Sequence, residues 1–295
     1  MTTTPKTRRL GPTGPTVGSI AYGCWRFGGT ETSIATAKID AALACGMTLI
    51  DTADIYGYGD QSAGFGGAEK LLGDVLRSAP SLRGEMVIAT KGGIQPGVPY
   101  DSTRTYLLNA CDESLTRLGV ESVDLYQVHR PDLFAHPAEV AATLAEIVQS
   151  GRAAQVGVSN YTVSQLAALN EFAPGLVTTI QPELSLWHYD PIDDGTLNQA
   201  MQHHLVPLAW SPLGRGAIGD EGSDLTAAIS TVAETHNVSP TAIAIAWVLH
   251  HPARPIPIIG TQQIARIRDA ATATQVVLSR SEWYSLLSAA GRELP

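Results

Sequence analysis

The sequence predicts an α/β fold, a (β/α)8 TIM barrel with an N-terminal β-hairpin and extra C-terminal helices, as one domain over residues 1–295. Three observations carry this. Eight short apolar, β-rich runs alternate with longer stretches of helical period. Their starts, from Ile20 to Ile256, lie on average about 34 residues apart, the size of one βα unit. The chain has 295 residues, enough for a barrel of ~250 residues with modest additions, and no linker-like or low-complexity stretch divides it.

The elements follow in order. Arg8-Arg9-Leu10-Gly11 through Val17 reads as a hairpin. Strands begin near Ile20, Met47, Met86, Val123, Ala154, Val177, Val206 and Ile256. Ala68, Leu71, Leu72, Val75 and Leu76 recur at the three-to-four spacing of one helix face, as do Leu108, Cys111, Leu115 and Leu118. Val140, Ala141, Leu144, Ile147 and Val148 repeat the pattern, with Pro137 in the first turn. Ser239-Pro240 reads as N-cap and first residue of a helix reaching Leu249. The interval from Val206 to Ile256 is long enough for a loop and an extra helix, and a last helix starts at about Ser281.

Composition narrows the function. The net charge is −9, which argues against a nucleic-acid binder or a polybasic membrane-surface protein, since both need clustered positive charge. Cys24, Cys45 and Cys111 are widely spaced with no C-x-x-C, so a disulfide framework and a metal site are not expected, and the thiols read as core residues. Met1 to Arg9 has no apolar leader core, and the apolar run Ala242 to Leu249 is far short of a bilayer span. A soluble cytoplasmic protein with no membrane partner is expected. Oligomeric state is not readable.

In such barrels chemistry sits in the loops at the C-terminal ends of strands. The second strand ends in Asp51-Thr52-Ala53-Asp54-Ile55-Tyr56-Gly57, the third in Thr90-Lys91-Gly92-Gly93, the fourth in Gln127-Val128-His129-Arg130-Pro131. Singly, an Asp there caps a helix, a Lys is solvated and a His is a satisfied core residue. Together, Asp51, Lys91, His129 and Tyr56 put an acid, a cation, an imidazole and a phenol in one pocket. A Tyr hydroxyl can protonate a developing alkoxide, and a nearby ammonium lowers its pKa from ~10 towards the working range. A His can polarise the carbonyl by hydrogen bonding. The attacking species is then either a cofactor hydride or the amine of Lys91.

These segments resemble the Asp–Tyr–Lys–His tetrad of the aldo-keto reductase superfamily. The resemblance continues through Gly157-Val158-Ser159-Asn160-Tyr161, Gln181-Pro182-Glu183, Trp210-Ser211-Pro212-Leu213-Gly214 and Ile256-Pro257-Ile258-Ile259-Gly260-Thr261, in order, from about Leu10 to the C-terminus. It is nearest to the bacterial oxidoreductase branch. It implies reversible reduction of a ketone or aldehyde by NADPH, with Tyr56 as general acid, Lys91 and Asp51 tuning it and His129 orienting the small-molecule carbonyl substrate. It implies that Ser159, Asn160 and Gln181 hold the nicotinamide carboxamide and that Trp210 stacks on the ring. Ser211, Leu213, Gly214 and Gly216 would line the pyrophosphate, and Trp25 would touch both nucleotide and substrate. Gly260, Thr261, Gln262, Arg266 and Asp269 would receive the adenosine end. Members that prefer NADPH place a Lys shortly before the Arg; here that position is Gln263, which leaves NADH open.

The substrate lining implied by the barrel-top loops is Trp25, Arg26, Tyr58, Arg130, Trp187 and His188, which favours an apolar or cyclic carbonyl compound or an anionic one. The stretches Gly92 to Ser102 and Gly214 to Asp224 are expected to cover the site. Gly214-Arg215-Gly216-Ala217-Ile218-Gly219 spells G-x-G-x-x-G, but the residues after it, to Asp224, read as loop, so it does not open a helix as a Rossmann fingerprint must. Two rivals remain: a nicotinamide-binding redox sensor without turnover, and a barrel lyase using Lys91 as a Schiff base.

Overall fold

The computed structural model describes residues 5–59, 63–220 and 222–295. The expectations that touch Met1 to Thr4 and Glu221 therefore lie outside the described residues. The chain opens with an antiparallel hairpin, β1 (Thr7–Arg9) and β2 (Thr16–Gly18). The first barrel strand, β3 (Ala21–Gly23), leads into α1 (Thr32–Ala44), and β4 (Leu49–Asp51) into α2 (Gly67–Ser78). Strand β5 (Val87–Gly92) is followed by a small hairpin, β6 (Ile94–Gln95) with β7 (Val98–Tyr100), and by α3 (Arg104–Leu118). Then come β8 (Val123–Val128), α4 (Pro137–Gln149), β9 (Ala153–Ser159), α5 (Val163–Phe172) and β10 (Val177–Gln181). After α6 (Asp190–Asp193) and α7 (Thr196–Gln202) follow β11 (Val206–Ala209), α8 (Asp224–His236) and α9 (Pro240–Leu249). The chain ends with β12 (Ile256–Ile259), α10 (Ile264–Ala271) and α11 (Arg280–Ala289).

Strands β3, β4, β5, β8, β9, β10, β11 and β12 are parallel and close into a barrel in that order, β12 pairing back to β3. The predicted strand starts agree with the observed ones to within two residues. Ser239 caps α9 as expected, its Oγ accepting from the Ala242 N–H at 3.1 Å, with Pro240 first in the helix. Gly119, at φ +69°, ends α3 in the left-handed conformation that glycine adopts without steric cost. The extra helix between β11 and β12 is α8. It begins at Asp224, behind the N-cap Ser223, so the loop expected to include Asp224 stops one residue short of it.

Strand alternation divides the core in two. Leu49, Val87, Ala89, Leu125, Val206, Leu208, Ile256 and Ile258 point into the barrel and form one buried cluster with Leu10 and Val17 of the hairpin, which plugs the end where the strands start. Ile50, Ile88, Tyr126 and Val128 point the other way and pack against the helices. The inward parity continues up each strand: Leu49 is followed by Asp51, Ala89 by Lys91, and Leu125 by Gln127 and then His129. The period that fills the barrel floor with aliphatic side chains thus sends the ionisable ones to its mouth. Among the described residues no helix is long and apolar enough to cross a membrane.

Candidate active site

Lys91 and Asp51 form the buried centre of the mouth. The Lys91 Nζ donates to Asp51 Oδ1 at 2.8 Å, to Asp51 Oδ2 at 2.7 Å and to the Thr52 carbonyl at 2.7 Å. All three ammonium protons are used, and the side chain is wholly buried. Burial works against the charge, but the Asp51 carboxylate and Tyr56 together outweigh it and hold Lys91 above the ordinary lysine range. A Schiff-base nucleophile needs a free amine, so this geometry opposes the lyase reading. Gln181 Nε2 also donates to Asp51 Oδ1, at 2.9 Å, which ties β10 to the pair.

Tyr56 lies half-buried on the loop after β4, with the Lys91 ammonium 5.0 Å from its ring centre. The His129 ring meets it edge-on, 5.7 Å between centres. Burial pushes the Tyr56 hydroxyl up to about 12; Lys91 pulls it down, and Asp51 pushes it up again. The expectation that Lys91 brings this hydroxyl into the working range is not met in the chain alone, because desolvation exceeds the pull of an ammonium already paired with a carboxylate. Tyr56 is therefore a protonated phenol. Burial, then Lys91 and Arg130, lower His129 well below its ordinary value, so it is a neutral imidazole. Its Nδ1 is buried with no partner among the described residues.

The neighbouring strand ends interlock. Ser159 Oγ donates to the Gln181 carbonyl at 2.9 Å. Asn160 adopts φ +60°, and its Nδ2 donates to Ser159 Oγ at 2.8 Å and to the His129 carbonyl at 3.2 Å. Its Oδ1 accepts from Trp210 Nε1 at 3.0 Å. Both amide protons of Asn160, expected to hold a carboxamide, are thus spent inside the protein. The Trp210 ring carries the Arg215 guanidinium 5.1 Å from its centre, and Arg215 is itself gripped by both Glu183 oxygens, at 2.9 and 2.8 Å. Ser211, Gly214, Arg215 and Gly216 all have positive φ, from +52° to +110°. The G-x-G-x-x-G run forms a kinked 3-10 turn, Gly214–Gly219, rather than opening an α-helix. A Cβ on Gly214 would come within 2.7 Å of the Trp187 ring, so only glycine allows that contact. Leu213 packs at the edge of the core beside this turn.

At the rim, Trp25 and Tyr58 are exposed, and Arg26 sits 5.3 Å from the Trp25 ring centre. Arg130 and Trp187 are half-buried, and so is His188, whose Nε2 lies 4.0 Å from Asp190. Beyond β12, Thr261 O accepts from Tyr22 Oη at 3.2 Å, and Gln262 Nε2 donates to the Gly260 carbonyl at 3.3 Å. Gln263 precedes α10, whose N-terminus has no side-chain cap, and Arg266 is exposed on its first turn. Asp269 accepts from Ser239 Oγ at 2.7 Å, which engages one oxygen of the group expected to meet adenine. A groove of about 680 Å³, lined in part by Glu234, Asn237, Pro240 and Asp269, opens there, at the Asp269 side of α10. The stretch from Gly92 to Ser102 is built partly of the β6–β7 hairpin, not of loop alone.

The fit to a nicotinamide nucleotide is physical. Open helical N–H groups and Arg266 suit a phosphate, and the positive-φ glycine turn allows close backbone approach. Among the described residues no three His, Cys, Asp or Glu side chains converge on a metal-sized site.

Three features escaped sequence reasoning. The Glu183–Arg215–Trp210 stack joins residues that pattern cannot pair. Lys38 is buried on α1. Behind Tyr56, Asp54 and Glu69 are fully buried; Glu69 accepts from Arg117 Nε at 2.6 Å and from Thr90 Oγ1, while both Asp54 oxygens lack partners among the described residues. Burial, then Glu69, pushes the Asp54 carboxyl far above the carboxylate range. The second acid of the D-T-A-D run was the available signal.

A sequence profile of the Aldo/keto reductase family matches residues 19–290. A 6-dehydroglucose reductase of Novosphingobium aromaticivorans is 47% identical, covering 99% of this chain and 98% of its own. A 6-dehydroglucose reductase of Agrobacterium fabrum is 37% identical, over 93% and 95%. Among solved structures, an aldo/keto reductase of Klebsiella pneumoniae in complex with NADP and acetate superposes with a TM-score of 0.81 at 26% identity, covering 95% of this chain and 94% of that one. With these matches spanning the barrel and its mouth, the chain belongs to the aldo/keto reductase family and is an NAD(P)H-dependent oxidoreductase.

Proposed function

We propose that the chain reduces the aldehyde or ketone of a small hydroxylated compound with NADPH, a sugar aldehyde of the 6-dehydroglucose kind being the first candidate. The single observation behind the chemistry is the buried Lys91–Asp51 ion pair beside the protonated Tyr56 and the neutral His129. The substrate class follows the two relatives that carry the 6-dehydroglucose reductase name, one of them 47% identical over nearly the full chain. It narrows the apolar, cyclic or anionic carbonyl compound that the rim residues suggest.

When bound, a reduced nicotinamide supplies the hydride. Tyr56 Oη gives its proton to the carbonyl oxygen as negative charge develops there, and the Lys91 ammonium stabilises the phenolate left behind. Neutral His129 donates a ring N–H to the same oxygen and fixes the carbonyl's orientation. Asp51 keeps Lys91 charged throughout.

The carboxamide set has mainly acceptors left to offer. Gln181 Nε2 is held on Asp51, the Ser159 proton is spent on the Gln181 carbonyl, and both Asn160 protons are used. Gln181 Oε1 and the remaining Ser159 lone pair therefore receive the carboxamide NH2. Arg266 meets the 2′-phosphate and favours NADPH, while Gln263 makes NADH the weaker alternative.

The test follows NADPH and NADH oxidation over 6-dehydroglucose, other sugar aldehydes, simple aldehydes and ketones. Tyr56→Phe should abolish turnover while nucleotide affinity stays within a few-fold. Wild-type turnover in that variant would remove Tyr56 as the acid, and preference for simple apolar ketones would remove the sugar assignment.

A further inference from the structure

Two lysines are buried among the described residues, Lys91 and Lys38. Lys91 has a carboxylate. Lys38, 5% exposed on α1, has a neutral partner: its Nζ donates to Gln262 Oε1 at 2.8 Å. The Phe27 ring centre is 6.0 Å away, and no carboxylate of the described residues lies within ion-pair distance. Burial lowers the Lys38 pKa, with Cys24 acting the other way, as expected of an ammonium without a counter-ion among the described residues.

Burying a cation is costly unless an anion compensates it. The hydrogen-bond partner that Lys38 has among the described residues lies on the segment Gly260-Thr261-Gln262-Gln263 between β12 and α10. That segment is anchored by Tyr22 Oη on the Thr261 carbonyl. It leads into the uncapped start of α10, with Arg266 exposed on the next turn. The open N–H groups and Arg266 make this an anion-receiving loop, yet its own side chains, Thr261, Gln262 and Gln263, carry no charge.

We propose that Lys38 is the counter-charge for a phosphate of the bound nicotinamide nucleotide, acting through Gln262, whose Oε1 it holds so that the amide N–H not given to the Gly260 carbonyl is turned to the phosphate. This rests on the reading that the Gly260–Arg266 segment receives the nucleotide. Lys38 is a positioning residue: it supplies from α1 the charge that Gln263 does not.

The test measures dissociation constants for NADPH and NADH by quenching of tryptophan fluorescence, without substrate, in wild type, Lys38→Met, Lys38→Arg and Gln262→Glu. Lys38→Met keeps the aliphatic stem and should weaken NADPH about 10-fold, the scale of one charge-assisted contact. Lys38→Arg should restore most of the loss. Gln262→Glu gives Lys38 a carboxylate, so its thermal midpoint should hold or rise while NADPH affinity falls at least about 10-fold. It keeps the test decisive if Lys38→Met folds poorly. Loss confined to NADPH assigns the 2′-phosphate, and equal loss for NADH assigns the pyrophosphate; both support the proposal. Wild-type affinity for both nucleotides in Lys38→Met or in Gln262→Glu overturns it. A wild-type protein that binds neither nucleotide overturns the loop reading itself.

Discussion

Replacing Asp51 by Asn should cost far more than the loss of one hydrogen bond. The Lys91 ammonium has three protons and three acceptors, two of them Asp51 oxygens at 2.8 and 2.7 Å, with no exposed surface. Asn supplies one oxygen. Its NH2 then faces Lys91 Nζ in either orientation, and Gln181 Nε2 as well when it takes the Oδ1 position, and both are donors. One ammonium proton is left without an acceptor, two donors oppose each other, and the buried charge loses its counter-ion. Breaking a buried pair from one side costs about 3–5 kcal/mol. At about 2–4 °C per kcal/mol for a chain of this size, the thermal midpoint should fall by about 6–20 °C. The assay is urea and thermal unfolding followed by circular dichroism on wild type, Asp51→Asn, Lys91→Met and the double variant. The double variant removes the stranded charge and should recover at least half of the Asp51→Asn loss, giving a coupling of about 2 kcal/mol or more. Asp51→Asn within about 1 kcal/mol of wild type, or a double variant no better than the single, would refute the argument.

Two further outcomes follow. His129 is held far below its ordinary pKa and His251 at about 4, both mainly by burial, so the unfolded chain binds more protons than the fold below pH ~6.5. Their contribution is complete above that value and is lost as pH falls towards the folded pKa values, by at most about 1.4 kcal/mol per pH unit per group. Urea midpoints between pH 8 and 5 should show it, His251→Gln should flatten the slope, and a steeper slope in that variant would contradict the assignment. Arg215→Ala uncovers one face of Trp210 while breaking only a pair with Glu183 whose Arg215 side is exposed, so stability should shift by less than about 1 kcal/mol. Stopped-flow tryptophan fluorescence should show nucleotide binding and release rates altered several-fold, and unchanged rates would mean that the stack does not sit on the nucleotide's path.

The fold was legible because each βα unit carries its own local signal. Pro137 and Ser239-Pro240 marked helix starts to the residue, and the short apolar, β-rich runs located strand starts within two residues. Asp51, Lys91 and His129 were legible for a related reason. Each stands at the end of an apolar run with inward parity, so a one-dimensional pattern delivers it to the mouth. Asp224 was misplaced by one residue because Ser223 and Asp224 both suit a helix start, and only backbone geometry separates the cap from the first turn.

What the chain pattern could not supply was who pays the desolvation of each charge. Lys91 and Asp51 are 40 residues apart, Gln181 and Asp51 130, and Lys38 and Gln262 224. Proximity at the mouth suggested that Lys91 would lower Tyr56, yet the sign of the net shift depends on burial depth and on how completely Asp51 already neutralises that ammonium. The same accounting separates the two buried lysines. Lys91 has its anion in the protein and needs none from a ligand. Lys38 has only an amide among the described residues, so on the proposal above a bound phosphate completes its surroundings, at a loop that also leaves helical N–H groups and Arg266 open.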